Sequence, residues 1–156
     1  MKKRLLSVLL FSLTILFITG CGSSSTDSGK FKPNQKFKYN GVEVVFLSDY
    51  NIKKGCSSDF SSGCYEVTIP FEINNKTKDS FDVYEDGPRF DIYSPSGIST
   101  SSYNGGYLNT NAQVKMKSGA KLNDVLRFNV KESGVFEIEI KDSKIEIEYD
   151  IQLPNY

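Results

Sequence analysis

The sequence predicts an all-β fold, an antiparallel β-sandwich, carried behind an N-terminal export leader. Three observations predict the sandwich. From Lys36 onward apolar residues recur with a period of two and not the helical period of about 3.6, clusters of turn-forming residues cut the pattern into short segments, and no segment offers an amphipathic helix.

Taken in order, Asn40-Gly41 supplies the positive φ angles of a tight turn, and Val42 to Leu47, apolar apart from Glu43, reads as the strand that follows it. The clearest alternation is Tyr65, Val67, Ile69, Phe71 and Ile73 against Glu66, Thr68, Pro70 and Glu72, one face apolar and the other wet. Pro70 cannot donate to a sheet ladder, so an edge or a bulge is expected there. Phe90 and Ile92 repeat the pattern. So do Leu126, Phe128 and Val130, then Phe136, Ile138 and Ile140, and last Ile145, Ile147, Tyr149, Ile151 and Leu153. Asn74-Asn75-Lys76, Asp86-Gly87-Pro88, Ser94-Pro95-Ser96-Gly97, Asn104-Gly105-Gly106, Lys117-Ser118-Gly119 and Ser133-Gly134 punctuate these runs. Two inner faces that bury the alternating residues make a sandwich, with a closed barrel as the alternative. Asn75-Lys76-Thr77 is also a glycosylation sequon, but Asn tolerates left-handed backbone and caps turns, which accounts for it here.

The chain opens Met1-Lys2-Lys3-Arg4 and then runs apolar from Leu5 to Ile18, interrupted by Ser7, Ser12 and Thr14. A charged start and an apolar middle are the parts of an export signal, and the run is shorter than the roughly 20 residues a spanning helix needs. The sequence Ile18-Thr19-Gly20-Cys21 that ends it resembles the lipobox of bacterial lipoproteins. The resemblance implies that residues 1–20 are a signal peptide, that the Cys21 thiol takes a diacylglyceryl group, and that Cys21 becomes the mature N-terminus. The expected address is the outer, extracytoplasmic face of the cell membrane, with the membrane as partner through the lipid anchor. Anchoring by acyl chains follows from about 0.8 kcal/mol per buried methylene. Residues 22–30 read GSSSTDSGK, so residues 21–35 are expected to be lipidated cysteine plus flexible tether, with a coil reach of about 20 Å, and residues 36–156 the folded domain.

Loss of Lys2, Lys3 and Arg4 with the leader leaves 16 basic residues against 19 acidic, a mildly acidic domain without a basic stripe. Nucleic acid is therefore not an expected partner. Cys56 and Cys64 are the only other cysteines, and outside the cytoplasm they are expected to pair, closing a short loop worth about 2.5 kcal/mol; two free thiols are the alternative. No metal is expected at them, since the chain has no histidine.

Several segments in order resemble the immunoglobulin-like, or telokin-like, domain of unknown function found in bacterial surface lipoproteins. They are Phe37 with Asn40-Gly41-Val42-Glu43-Val44, Tyr65 to Ile69 leading into Phe71 to Thr77, Arg89 to Tyr93 with Ser96-Gly97, and Met116 to Leu122 preceding Leu126 to Val130. The resemblance implies an immunoglobulin-like sandwich and supplies no activity, since the family has none assigned.

Composition excludes Ser-His-Asp and Cys-His catalysis, because there is no histidine to act as base. No pair among the acids is isolated in an apolar setting that would raise one pKa, so no enzyme and no cofactor is expected. Asp82, Glu85, Asp86 and Asp91 lie close together, but Tyr84 stands where a calcium loop needs a second carboxylate. Glu137, Glu139, Glu146, Glu148 and Asp150 project from the outer faces of the last two strands. Like charges opposite one another destabilise a pair, so either these strands are not neighbours or lysines such as Lys141 and Lys144 relieve them. Ser94 to Asn111 is rich in Ser, Gly, Tyr and Asn, as binding loops are, and names Tyr103, Asn104 and Tyr107 as candidate contact residues; a solvated loop explains the same letters. The function expected is a non-catalytic module that engages a cell-envelope or surface protein through loops at one end of the sandwich. A solute-binding or sensing lipoprotein is the alternative, which requires a concave apolar pocket with convergent polar groups.

Overall fold

A computed structural model describes residues 25–55, 63–100, 102–104 and 114–154. The expected antiparallel sandwich is the fold, built among the described residues from thirteen strands and a single helical turn. One sheet has the order β1 (Ser28–Phe31), β13 (Lys144–Ile151), β12 (Gly134–Ile140), β7 (Phe90–Tyr93), β8 (Ser99–Thr100). The other runs β2 (Lys36–Tyr39), β3 (Val42–Phe46), β5 (Tyr65–Asn74), β11 (Lys121–Val130), β9 (Ser102–Asn104), with β4 (Asn51–Lys54) also on β5. A two-stranded piece joins β6 (Phe81–Asp82) to β10 (Lys115–Met116), and α1 (Val83–Asp86) is one turn capped by Asp82, whose carboxylate accepts from the Tyr84 and Glu85 amides. Among the described residues no helix is long and apolar enough to cross a membrane.

Every alternating apolar set read from the sequence is buried between the sheets, from Val42 and Phe46 through Ile69 and Phe71 to Ile147 and Ile151, except Leu153, which packs partly buried at the margin. The period-two pattern thus does its ordinary work, one face dry and one wet on each strand. Tyr149 crosses the core, its hydroxyl donating to the Leu47 carbonyl at 2.6 Å, and burial pushes that hydroxyl well above the ordinary tyrosine pKa.

Pro70 does not mark an edge strand, because β5 is flanked on both sides. Its carbonyl accepts from the Leu47 amide, and in a strand the nitrogen faces the same neighbour as the carbonyl. That side is the gap where β3 has ended at Phe46 and β4 has not begun until Asn51, so the missing donor costs no ladder bond.

The tether expected through residue 35 is shorter than its composition suggested. Ser28–Phe31 is β1, parallel to β13 in the register Lys30 to Glu146. The apolar anchor is Phe31, whose ring lies 5.1 Å from that of Phe37, just beyond the polar run.

Gly134 opens β12 at φ 135°, where a Cβ would stand 2.8 Å from Pro95 Cγ. Gly134→Ala is expected to cost about 1–3 kcal/mol, from the strained backbone and the displaced proline ring together. Urea unfolding of the two proteins measures it.

Candidate functional site

Antiparallel register gives the sandwich two ends. One carries Asn40-Gly41, Asn75 and the β12–β13 turn at Lys141 to Ser143. The opposite one, the loop end, carries Cys64, the turn from Ser94 to Ile98, and Lys131 to Ser133.

A cleft of about 480 Å³ opens at the loop end. Cys64, Val130 and Phe136 bring core side chains to it, Ile98 and the hydroxyls of Ser94 and Thr100 come from the β7–β8 segment, and Asn129 comes from β11. Thr100 Oγ1 donates to the Asn129 carbonyl at 2.7 Å and so stitches one sheet to the other beside the cleft. Among the described residues the buried Asn129 side-chain oxygen has no hydrogen-bond partner, an unusual state for a buried acceptor. On the rim the Ser94 and Ser96 hydroxyls lie 2.7 Å apart, and Ser96 Oγ donates to Glu132 at 2.8 Å. These two serines hold the Glu132 carboxyl below its ordinary pKa. Ile98 and Val135, 68% and 53% exposed, leave large apolar side chains in solvent at this same end. The arrangement offers apolar contact area and a polar rim, which is the chemistry of recognition.

The acidic residues of the last two strands form a second feature. β12 and β13 are direct neighbours, with Glu137 opposite Glu148 and Glu139 opposite Glu146, and Asp91 of β7 continues the row beside Glu139. Relief comes from a residue assigned by sequence to the tether. Lys30 Nζ lies 3.0 Å from Glu148, 3.1 Å from Glu146 and 3.8 Å from Glu137. Lys141 serves Asp91 instead, at 3.0 Å. Lys30 holds Glu146 below its ordinary pKa, whereas desolvation first, and the Glu146 carboxylate next, push Glu137 up. The acids weighed for calcium are dispersed: Asp82 caps α1, Glu85 and Asp86 are exposed, and Asp91 joins the row on β7.

Of the residues singled out by sequence, Cys21, Cys56 and Tyr107 lie outside the described residues. Cys64 is buried beside the cleft, and its carbonyl accepts from the Gly55 amide at 2.8 Å, so the chain enters and leaves the Cys56 loop side by side. Tyr103 and Asn104 do not belong to a free loop. Their backbone forms β9, paired with Arg127 and Leu126, because the Ser94 to Asn111 stretch crosses from β8 in one sheet to β9 in the other. Asn129 and Lys30 escaped the sequence reading. The first occupies an ordinary outward position of an alternating strand, and the second sits in a run of small polar residues.

No family model matches the chain, and no curated protein does. Solved structures do. A conserved hypothetical protein from Bacillus anthracis is similar with a TM-score of 0.55 at 11% identity, covering 78% of this chain and 95% of that one. A Bacillus subtilis protein provisionally described as a lipoprotein has a TM-score of 0.54 at 15% identity, over 74% of this chain and 38% of that one. An uncharacterized β-sandwich protein from Clostridium difficile 630 has a TM-score of 0.52 at 10% identity, over 82% and 97%. At these identities the likeness is one of fold.

Proposed function

We propose that this protein is a lipid-anchored extracytoplasmic module, without catalysis, that engages an envelope or surface protein through the loop end of its sandwich. The observation that carries the reading is the position of the fold relative to Cys21. The Ser25 carbonyl accepts from the Gly41 amide, at the end opposite the cleft. Four residues span at most about 14 Å. An acyl group on Cys21 would therefore hold that end close to the bilayer and leave the cleft, Ile98 and Val135 directed away from it. A Cys56–Cys64 disulfide, closing a loop whose ends already meet at Gly55 and Cys64, would brace the rim. The B. subtilis neighbour's provisional description as a lipoprotein agrees with the address.

Solute binding is the second reading, favoured by the cleft volume and its mixed lining of apolar side chains and hydroxyls. The two separate by what the loop end captures: a photoreactive residue at Ile98 is expected to crosslink to protein in whole cells, and the same residue at Tyr84, at the opposite end, is not. Cys21→Ser is expected to move the protein from the membrane fraction to the soluble one. Retention of Cys21→Ser in the membrane removes the anchor, and equal crosslinking from both positions removes the loop end as the docking surface.

A further inference from the structure

We propose that residues 25–31 are a releasable strap, latched by Lys30 on the carboxylates of β12 and β13, whose release lengthens the tether and moves its attachment point from one end of the domain to the middle of its open side.

The strap runs along the open side of the sandwich and is zipped to both sheets in turn. Its first part pairs with the edge of β2 and the turn after it. The Gly41 amide donates to the Ser25 carbonyl, the Asn40 amide to Thr26 Oγ1 at 3.0 Å, and Lys38 and Asp27 exchange bonds of 2.7 and 2.8 Å. Its second part, β1, lies parallel on β13. Beyond Phe31 the chain is fixed again. The Lys32 amide donates to Gln35 Oε1 at 2.6 Å, and Asn34 exchanges bonds with the Phe46 carbonyl and the Ser48 amide. The strap is thus bounded by a held corner at mid-height on the open side, level with Phe71 of β5 and Ile147 of β13, and by the anchor cysteine on the other side.

What holds β1 is weak in kind. It is a four-residue edge strand in parallel pairing, with Ser28, Gly29 and Lys30 exposed. Its side-chain ties are the Phe31–Phe37 contact and the Lys30 ammonium, and exposed ion pairs contribute little and are screened by salt. The groups facing the ammonium are Glu137 on β12 and Glu146 and Glu148 on β13. Glu139 stands opposite Glu146, and Asp91 on β7 beyond it is neutralised by Lys141. Removal of Lys30 leaves opposed carboxylates facing each other. Because Lys30 depresses the Glu146 pKa, its share of the docking is present at neutral pH and lost as pH falls below the ordinary glutamate range.

With the strap docked, four Cα–Cα steps run from Cys21 to Ser25; released to the corner at Lys32, eleven do, a reach of at most about 40 Å against about 14 Å. This consequence rests on the anchor reading; the release does not.

Hydrogen exchange on the full chain bound to phospholipid vesicles tests both parts. Lys30→Gln is expected to lower protection of amides in 26–31 on the order of tenfold, the worth of three exposed pairs, while β11 is unchanged and Lys30→Arg restores protection. Raising salt from about 0.1 to about 1 M is expected to do the same to the wild-type chain, and serves if Lys30→Gln does not fold. Wild-type protection in the variant with no response to salt, or loss of protection in strap and β11 together, overturns the strap. A chain that exchanges as expected but does not stay on vesicles overturns the anchor alone.

Discussion

Phe71→Ala lowers the free energy of unfolding by about 3–5 kcal/mol. Phe71 lies at the centre of the core, stacked on Phe46 of its own sheet at 5.1 Å and meeting Phe90 of the facing sheet edge-on at 5.5 Å; Phe46 and Phe90 close the triangle at 5.5 Å. These rings carry contact from one sheet to the other, so truncation opens a cavity between two rigid layers that cannot easily collapse into it. The adjacent residue is the control. Glu72 faces outward with only a 4.0 Å approach to Lys121, and Glu72→Gln is expected to change stability by less than about 0.5 kcal/mol. Urea unfolding followed by tyrosine fluorescence reads both, and a Phe71→Ala loss under 1 kcal/mol would mean the rings do not form the core seam.

Asn75→Ala costs about 3 kcal/mol, more than a turn residue ordinarily does. Asn75 is fully buried, and every polar atom of its side chain is used. Nδ2 donates to the carbonyls of Asp79 at 2.8 Å and Met116 at 3.0 Å, and Oδ1 accepts from the Thr77 amide at 3.1 Å and the Thr77 hydroxyl at 2.6 Å. Its backbone adds bonds to Ala120 and Gly119. One amide therefore ties the β5 end to the segment before β6 and to β10, and alanine removes a donor from both carbonyls, leaving Asp79 only the Thr77 hydroxyl at 3.1 Å. Thr77→Val removes only the hydroxyl's share and is expected to cost about 1 kcal/mol, read from the same unfolding curves. The burial also disposes of the sequon: an amide nitrogen bonded to two carbonyls inside the fold offers nothing to a glycan.

The core was legible because alternation is a local property. Tyr65 to Ile73 and Ile145 to Ile151 announce their buried faces without knowledge of their neighbours. Asn75 was legible as a turn residue but not as a tie, because its partners Asp79 and Met116 meet it only in the fold. The acidic strands posed a dilemma that sequence could state and not resolve. They are neighbours, and the cation that makes this tolerable comes from Lys30, 116 positions before Glu146 and inside a run whose Gly and Ser content argued for coil. Composition measures average burial, and a strap held by one phenylalanine and one lysine falls beneath it. Pro70 misled in the opposite direction. It signals a missing donor, which an edge explains from sequence, but a break between two strands on one side of β5 removes the need for the donor equally well. The cleft was out of reach, since its lining comes from segments far apart in sequence that meet only in the fold.

The central claim is that the sandwich is held to a membrane by lipid on Cys21. Mass spectrometry of the N-terminal peptide from membrane-extracted protein tests it most directly. The account predicts a peptide that begins at Cys21 and carries a diacylglyceryl thioether; a peptide that retains residues before Cys21, or one with an unmodified Cys21 thiol, would contradict it.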